Sequence, residues 1–303
     1  MNIKPFRPLL AATIENNEQL DKLTYPLIAS PKVDGIRCIN HPNLGPITRS
    51  SKLIRNDHVR LKLSTIACTD LDGELVSGPI AAPDVFNRTT SAVMTGSGTP
   101  EFMYHIFDSS ILSGLPYERR LQDLEPRMKA IRASGIDYVR ELPWREVRNS
   151  TDILDAEVDW LAHGFEGVML RNPQGKYKQN RSTLKEQILM KLKRFTDAEA
   201  EVIGFEPLER NTNPQTRNLQ GLAERSDHKA GKVQVETLGR LRVRDLSGRF
   251  GEFTVGSGFD ASTRDQIWSD RPRYQGRVIK YKFQEIGIVE APRFPIYLGF
   301  RED

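Results

Sequence analysis
The chain has 303 residues, 38% of them hydrophobic and 28% charged, with a formal net charge of +4. That supplies apolar material for one large core or two ordinary ones, and no uncharged apolar run approaches the roughly 18 residues of a membrane span. Cys38 and Cys68 are the only cysteines and the five histidines are scattered, which argues against a disulfide framework or a zinc centre. The opening MNIKPFRPLLAATIENNEQL lacks the apolar centre and cleavage site of a secretory leader, so a cytoplasmic protein is expected (host cytoplasm for a viral chain).

In chain order, PLIAS and GIRCIN read as strands on either side of Lys32-Val33-Asp34-Gly35. Asp-Gly alone could be an ordinary surface turn there. DLDGELV (70–76) and EFMYHIFDS (101–109) read as further strands. In PYERRLQDLEPRMKAIRASG, Leu121, Leu124, Met128 and Ile131 recur at helical spacing. A kink or restart is expected at Pro126 and a stop at Gly135. STDILDAEVDWLAHG predicts a helix capped by Ser150 or Thr151 and ended by Gly164. FEGVMLR and QILMKLKRF read as strands, the second carrying Lys191 and Lys193 on one face.

Residues 176–194 carry Lys or Arg at 176, 178, 181, 185, 191, 193 and 194 against one acid, Glu186. That run suits a phosphate-rich partner. Strands and helices without a regular βαβ rhythm predict an α+β fold. After Thr196 the texture changes to short alternating strands, EAEVIGFEPL, GRLRVRDL, GEFTVGSGF and RVIKYKFQEIG. They predict a small β-barrel of oligonucleotide-binding (OB) type. The expected domains are 1–196 and 197–303, with polar residues 208–231 as a functional or disordered loop.

Each candidate site residue has an ordinary reading by itself. Glu74 and Glu166 could be surface acids, Phe102, Tyr104 and Phe107 core, Lys191 and Lys193 a solvated face. The joint order is more specific: Lys32-x-Asp34-Gly35-x-Arg37, Asp72-Gly73-Glu74, Tyr104-x-x-Phe107-Asp108, Glu166-Gly167, Lys191-x-Lys193. Steps of 42, 33, 59 and 25 residues separate Lys32, Glu74, Phe107, Glu166 and Lys191. This order resembles the covalent nucleotidyltransferases, the polynucleotide ligases and messenger-RNA capping enzymes. With the ending APRFPIYLGFRED, it most resembles ATP-dependent DNA ligases of the compact bacteriophage type.

The resemblance implies a nucleotidyltransferase domain of mixed sheets and helices followed by an OB-fold domain, in a monomer that seals nicks in duplex DNA. It implies ATP as substrate and Mg²⁺ or Mn²⁺ as metal. Lys32 would attack the α-phosphorus, pass AMP to the 5′-phosphate, and the 3′-hydroxyl would then displace AMP. The neutral amine this needs is attributed to surrounding cations. Asp34 would orient the 3′-hydroxyl end and Arg37 would grip a phosphate or ribose oxygen. Glu74 and Glu166 would bind the metal, Glu74 also the ribose. Phe107 would stack on adenine, with Tyr104 the second choice and Val168 the opposite wall. Lys191 and Lys193 would hold the α-phosphate. Arg293, Arg301 and Asp303 would meet the departing pyrophosphate after motion at a joint near Phe195–Ala198. Arg49, Lys52, Lys176, Lys178 and Arg181 would track DNA phosphates, and 208–231 would clamp the duplex.

The chain departs from the family pattern in places. Thr48-Arg49-Ser50-Ser51 lacks the glycine of the second motif, so a different backbone course is expected there. Ser30, two before the lysine, reaches less far toward adenine than the usual side chain. The last motif stops at Asp303 without its following lysine. The alternatives are an RNA ligase, a GTP-using capping enzyme, or an OB-fold binding protein without catalysis.

Overall fold
Residues 6–66, 69–217, 221, 223–226, 228–284, 288 and 290–301 are described by the computed structural model. The chain divides between Lys193 and Arg194 into two units.

The first unit is built on two five-stranded sheets. At the middle of one, Val168–Arg171 runs antiparallel to both Leu27–Pro31 and Leu189–Leu192. Ala12–Ile14 and Arg145–Val147 complete its edges. Alternation sends Leu27, Ala29, Val168, Leu170, Met190 and Leu192 to one face. The helix Ser150–Ala162 covers that face with Ile153, Ala156 and Trp160. Its N-cap is Asn149, whose side chain accepts from Asp152 N at 2.9 Å, so Ser150 is already helical. Residues of opposite parity, Ser30, Met169, Arg171 and Lys191, fall on the other face and line a cavity.

The second sheet runs Gly45–Thr48, Ile36–His41, Leu71–Val76, Met103–Ser109 and Val139–Glu141, all antiparallel except the last pair. Cys38, Leu71, Leu75, Tyr104 and Ile106 pack under the helices Asp57–Ser64 and Tyr117–Ala133. The second helix runs unbroken through Pro126. Leu121, Leu124, Met128 and Ile131 bury on both sides of the proline. That tertiary packing outweighs the one lost backbone bond.

The second unit is a five-stranded antiparallel sheet in the order Glu252–Val255, Lys232–Asp245, Thr196–Asn211, Val278–Gln284, Arg293–Phe300. A bridge between Ser257 and Ile296 draws its two edges together. The helix Ala261–Ser269, not expected from sequence, closes the core with Ile267. Among the described residues of 208–231, most belong to strands rather than to the expected loop. Leu208–Asn211 continue the ladder against Lys232–Val235, and Gln215–Arg217 then pairs with Ala223–Arg225. Both faces of this ribbon are largely exposed, so no apolar period betrays it. Of the joint expected near Phe195–Ala198, Thr196, Asp197 and Ala198 are strand, pairing with Phe283, Lys282 and Tyr281, while Phe195 precedes the strand.

Candidate active site
Lys32 follows directly on the strand Leu27–Pro31, and Glu166–Gly167 brackets it. Lys32 N donates to Gly167 O at 2.8 Å, and Glu166 N donates to Lys32 O at 3.0 Å. Gly167 has φ +148°, and a Cβ there would meet Leu192 O at 2.4 Å, so only glycine allows this approach. Lys32 Nζ pairs with Glu166 Oε2 and Lys193 Nζ with Oε1. Burial works to raise the Glu166 carboxyl, but Lys32 and Lys193 overcome it and bring it down to about 2. The amine therefore faces an ionised carboxylate as well as the expected cations.

A Cβ on Gly35 would meet Leu75 O at 2.2 Å, so the Asp34-Gly35 turn lies flat on the strand Leu71–Val76. Arg37 stands opposite Glu74 in the register. Its Nε and Nη2 donate to the two oxygens of Asp72 at 2.8 and 2.5 Å, and Nη1 to Leu9 O at 2.8 Å. Tyr177 Oη donates to the same carboxylate at 2.9 Å. Asp72 and Tyr177 had no role in the sequence reading. The available signal was period: Asp72 and Glu74 share a face of one strand. Arg37 still lines the cavity, held rather than free-swinging. Burial pushes the Glu74 carboxyl up to about 8 against the pull of Lys32 and Arg37, with Asp72 and Asp34 adding to the rise.

Phe107 and Lys191 line a cavity of about 230 Å³ together with Lys32, Arg37, Glu74 and Lys193. Burial, then the nearby charges of Lys32 and Arg181, lowers the Lys191 amine. Two expected walls are wrong. Tyr104 is fully buried, its hydroxyl donating to Cys38 O at 2.9 Å. Val168 is likewise fully buried among the residues under the helix Ser150–Ala162. Its neighbour Met169, on the opposite face, lines the cavity instead. Arg171 joins it, with its guanidinium 4.7 Å over the Phe107 ring.

Residues 230–301 match the family model described as a DNA ligase OB-like domain. The crystal structure of a Chlorella virus DNA ligase-adenylate is 35% identical, with a TM-score of 0.54, over 97% of this chain and 99% of that one. The chain belongs to the DNA ligases. A curated DNA ligase of Haemophilus influenzae is 29% identical over 228 residues, 75% of this chain and 70% of that protein. A Lig E DNA ligase structure at 21% identity shares the fold, with a TM-score of 0.67 over 96% of this chain and 98% of that one.

In this ligase, Arg49 and Arg181 line the same cavity as Lys32, and Arg181 Nη1 donates to Ala11 O at 2.6 Å. Lys178 is paired with Glu186 at 2.6 Å, while Lys52 and Lys176 are exposed. A serine stands where the family pattern has glycine. Ser51 adopts φ +62°, the left-handed conformation that glycine favours. Its hydroxyl donates to Phe6 O at 2.8 Å. Asp34 is half-buried, and its charge acts on Glu74. In the second unit, Arg293 lies on the last strand with its guanidinium 4.8 Å from the Phe294 ring. Arg301 Nη1 pairs with Glu199 at 3.0 Å. Asp303 lies outside the described residues.

Proposed function
We propose that Lys32 is the residue adenylated by ATP, and that the ligase passes this AMP to the 5′-phosphate at a nick in duplex DNA. The observation that carries this is the seating of the Lys32 and Lys193 amines on one carboxylate, Glu166, beside a cavity lined by Phe107. Adenylation is assigned to residues 1–196 and the OB contribution to DNA binding to 197–303, in a cytoplasmic monomer. Among the described residues no helix is long and apolar enough to cross a membrane.

In the first step the Lys32 Nζ lone pair forms a bond to the α-phosphorus, the bond to pyrophosphate breaks and pyrophosphate leaves, and the proton lost from Nζ passes to water. A carboxyl at about 2 is a poor proton acceptor, so Glu166 orients the amine rather than serving as its base. Lys191 and Lys193 disperse the charge that builds on the α-phosphate oxygens. Phe107 and Met169, one from each sheet, hold the base between them. Arg37, fixed by Asp72, meets a ribose or phosphate oxygen. In the second step a 5′-phosphate oxygen attacks the same phosphorus and the P–N bond breaks. In the third the 3′-hydroxyl, oriented by Asp34, attacks the 5′-phosphorus and AMP leaves.

Among the described residues there is no group of three or more His, Cys, Asp or Glu side chains that could by itself cage a metal. Mg²⁺ needs only one or two carboxylates, completing its shell with phosphate oxygens and water. Glu74, whose carboxyl burial holds up against the pull of Lys32 and Arg37, fits that need together with Glu166. These two residues would hold Mg²⁺ or Mn²⁺, which supplies charge neutralisation at the phosphates. Arg293, Arg301 and Asp303 are assigned to the departing pyrophosphate. Arg49, Lys52, Lys176, Lys178 and Arg181 are assigned to DNA phosphates, and the 208–231 ribbon to a clamp on the duplex.

The test is direct. The protein is incubated with α-labelled ATP and Mg²⁺, denatured, and examined for an acid-labile label. Wild type should carry it on Lys32, and Lys32→Ala should carry none. Label retained by Lys32→Ala would overturn the assignment.

A further inference from the structure
Arg171 is 4% exposed, yet among the described residues it has no ion-pair partner. Its side chain's one hydrogen bond among them is a long one, Nη1 donating to Ser30 Oγ at 3.3 Å. A guanidinium keeps its charge and its five N–H donors even when buried. Burying it without acceptors is costly. None of its nitrogens is both sealed from solvent and without a bond, and the side chain lines the cavity. The remaining donors therefore open into that cavity.

Strand geometry locates them relative to the phosphate end. Ser30 is paired with Met169, and Ile28 with Arg171. At about 3.3 Å per residue, Ser30 lies about 7 Å and the Ile28–Arg171 pair about 13 Å along the strand from Lys32. An adenylate joined at Lys32 places its phosphate first, its ribose next and its base farthest along that line. The guanidinium is also immobilised, 4.7 Å from the Phe107 ring centre and 5.2 Å from that of Tyr117. Tyr117 Oη in turn donates to Phe107 O at 2.9 Å, so the aromatic ring and the donor fork are one rigid piece.

We infer that Arg171 is a specificity-determining residue that reads the adenine edge. It donates to the ring acceptor beside the 6-amino group, N1 or N7, while Ser30 Oγ accepts from that amino group. The inference rests on the adenylate reading proposed above. A donor beside an acceptor matches adenine, whose ring nitrogen accepts next to an amino group that donates. It also answers how a side chain as short as Ser30 takes part in base selection: Arg171 supplies the second contact from the neighbouring strand.

Lysine labelling is measured with ATP, 1-deaza-ATP, 3-deaza-ATP and 7-deaza-ATP, in wild type and in Arg171→Met. In wild type, either the 1-deaza or the 7-deaza analogue should lose about 10- to 100-fold in kcat/KM, the worth of one hydrogen bond to a charged donor. The 3-deaza analogue should behave as ATP. In Arg171→Met, which keeps an unbranched apolar stem and removes the donor fork, ATP should fall by a similar factor and the penalised analogue should lose nothing further. Arg171→Lys, the variant to use should the methionine protein fail to fold, should show a reduced penalty. The inference is overturned if the 1-deaza and 7-deaza analogues both label within twofold of ATP in wild type, or if the penalty persists undiminished in the variants. Wild type that ATP itself does not label would instead sink the adenylate reading and this inference with it. Normal labelling by ATP and by both analogues would sink the base assignment alone.

Discussion
Glu166 holds Lys32 with one carboxylate oxygen and Lys193 with the other, while its own backbone N–H donates to Lys32 O at 3.0 Å. The carboxylate is 2% exposed, and the two lysine side chains are 19% and 13% exposed. Removing one partner of such a cluster leaves buried charge uncompensated, at a cost of about 3–5 kcal/mol. Glu166→Gln should therefore slow single-turnover lysine labelling by roughly 10²- to 10³-fold while keeping the shape of the side chain. A loss smaller than tenfold would show that the carboxylate does not orient the amine.

Asp72 is fully buried and takes both arms of Arg37, with Tyr177 as a third donor. Asp72→Asn should destabilise the first unit by about 3–5 kcal/mol, a drop in Tm on the order of 10 °C. Tyr177→Phe, which removes one neutral donor to the same group, should cost about 1–2 kcal/mol. Thermal melts of both variants check this, and equal melting of the two would refute the ranking.

Ser51 carries a left-handed backbone and a hydroxyl bonded to Phe6 O. Ser51→Ala keeps the unfavourable φ and loses the bond, so it should cost about 1–2 kcal/mol. Ser51→Gly loses the same bond but relieves the backbone, and should stay within about 0.5 kcal/mol of wild type. Denaturant titrations decide it, since a glycine variant weaker than the alanine one contradicts the conformation.

Burial, aided by the charge of Arg140, holds the His105 imidazole down to about 4 from its usual 6.5. Between those values the unfolded chain binds a proton that the folded chain refuses. The contribution is therefore fully present above pH 6.5 and is lost as pH falls toward 4. At pH 5 the loss is on the order of 2 kcal/mol. Urea unfolding at pH 7 and pH 5 should show this drop in wild type and a smaller one in His105→Gln, and identical slopes would exclude His105 as the source.

Asn211 and Lys232 are direct register partners, so residues 212–231 can be replaced by a short turn without disturbing the ladder below. The shortened ligase should label Lys32 within twofold of wild type and bind nicked duplex about tenfold or more weakly at moderate salt. Parallel loss of labelling and binding would place the ribbon in the first step and not in DNA grip.

The order of the site segments was legible because it lies in covalent sequence. So was the shared face of Lys191 and Lys193, which needs only the two-residue period of a strand. The strand near Val168 shows where legibility stops. Alternation separates Val168 from Met169, but which of them meets the cavity depends on which face the helix Ser150–Ala162 covers. The ribbon at 208–231 was missed for a related reason: with both faces largely polar there is no alternation to read.

Sequence alone determined that a lysine, two acids, an aromatic and a lysine pair occur in an order suited to nucleotidyl transfer, and that a β-rich segment follows. Tertiary structure decided which partners those groups meet: Glu166 between two amines, Asp72 on Arg37, Met169 in place of Val168, and Arg171 against Phe107. The physical reason is that local periodicity sorts side chains into faces, whereas charge pairing and burial depend on strand register and sheet packing between segments far apart along the chain.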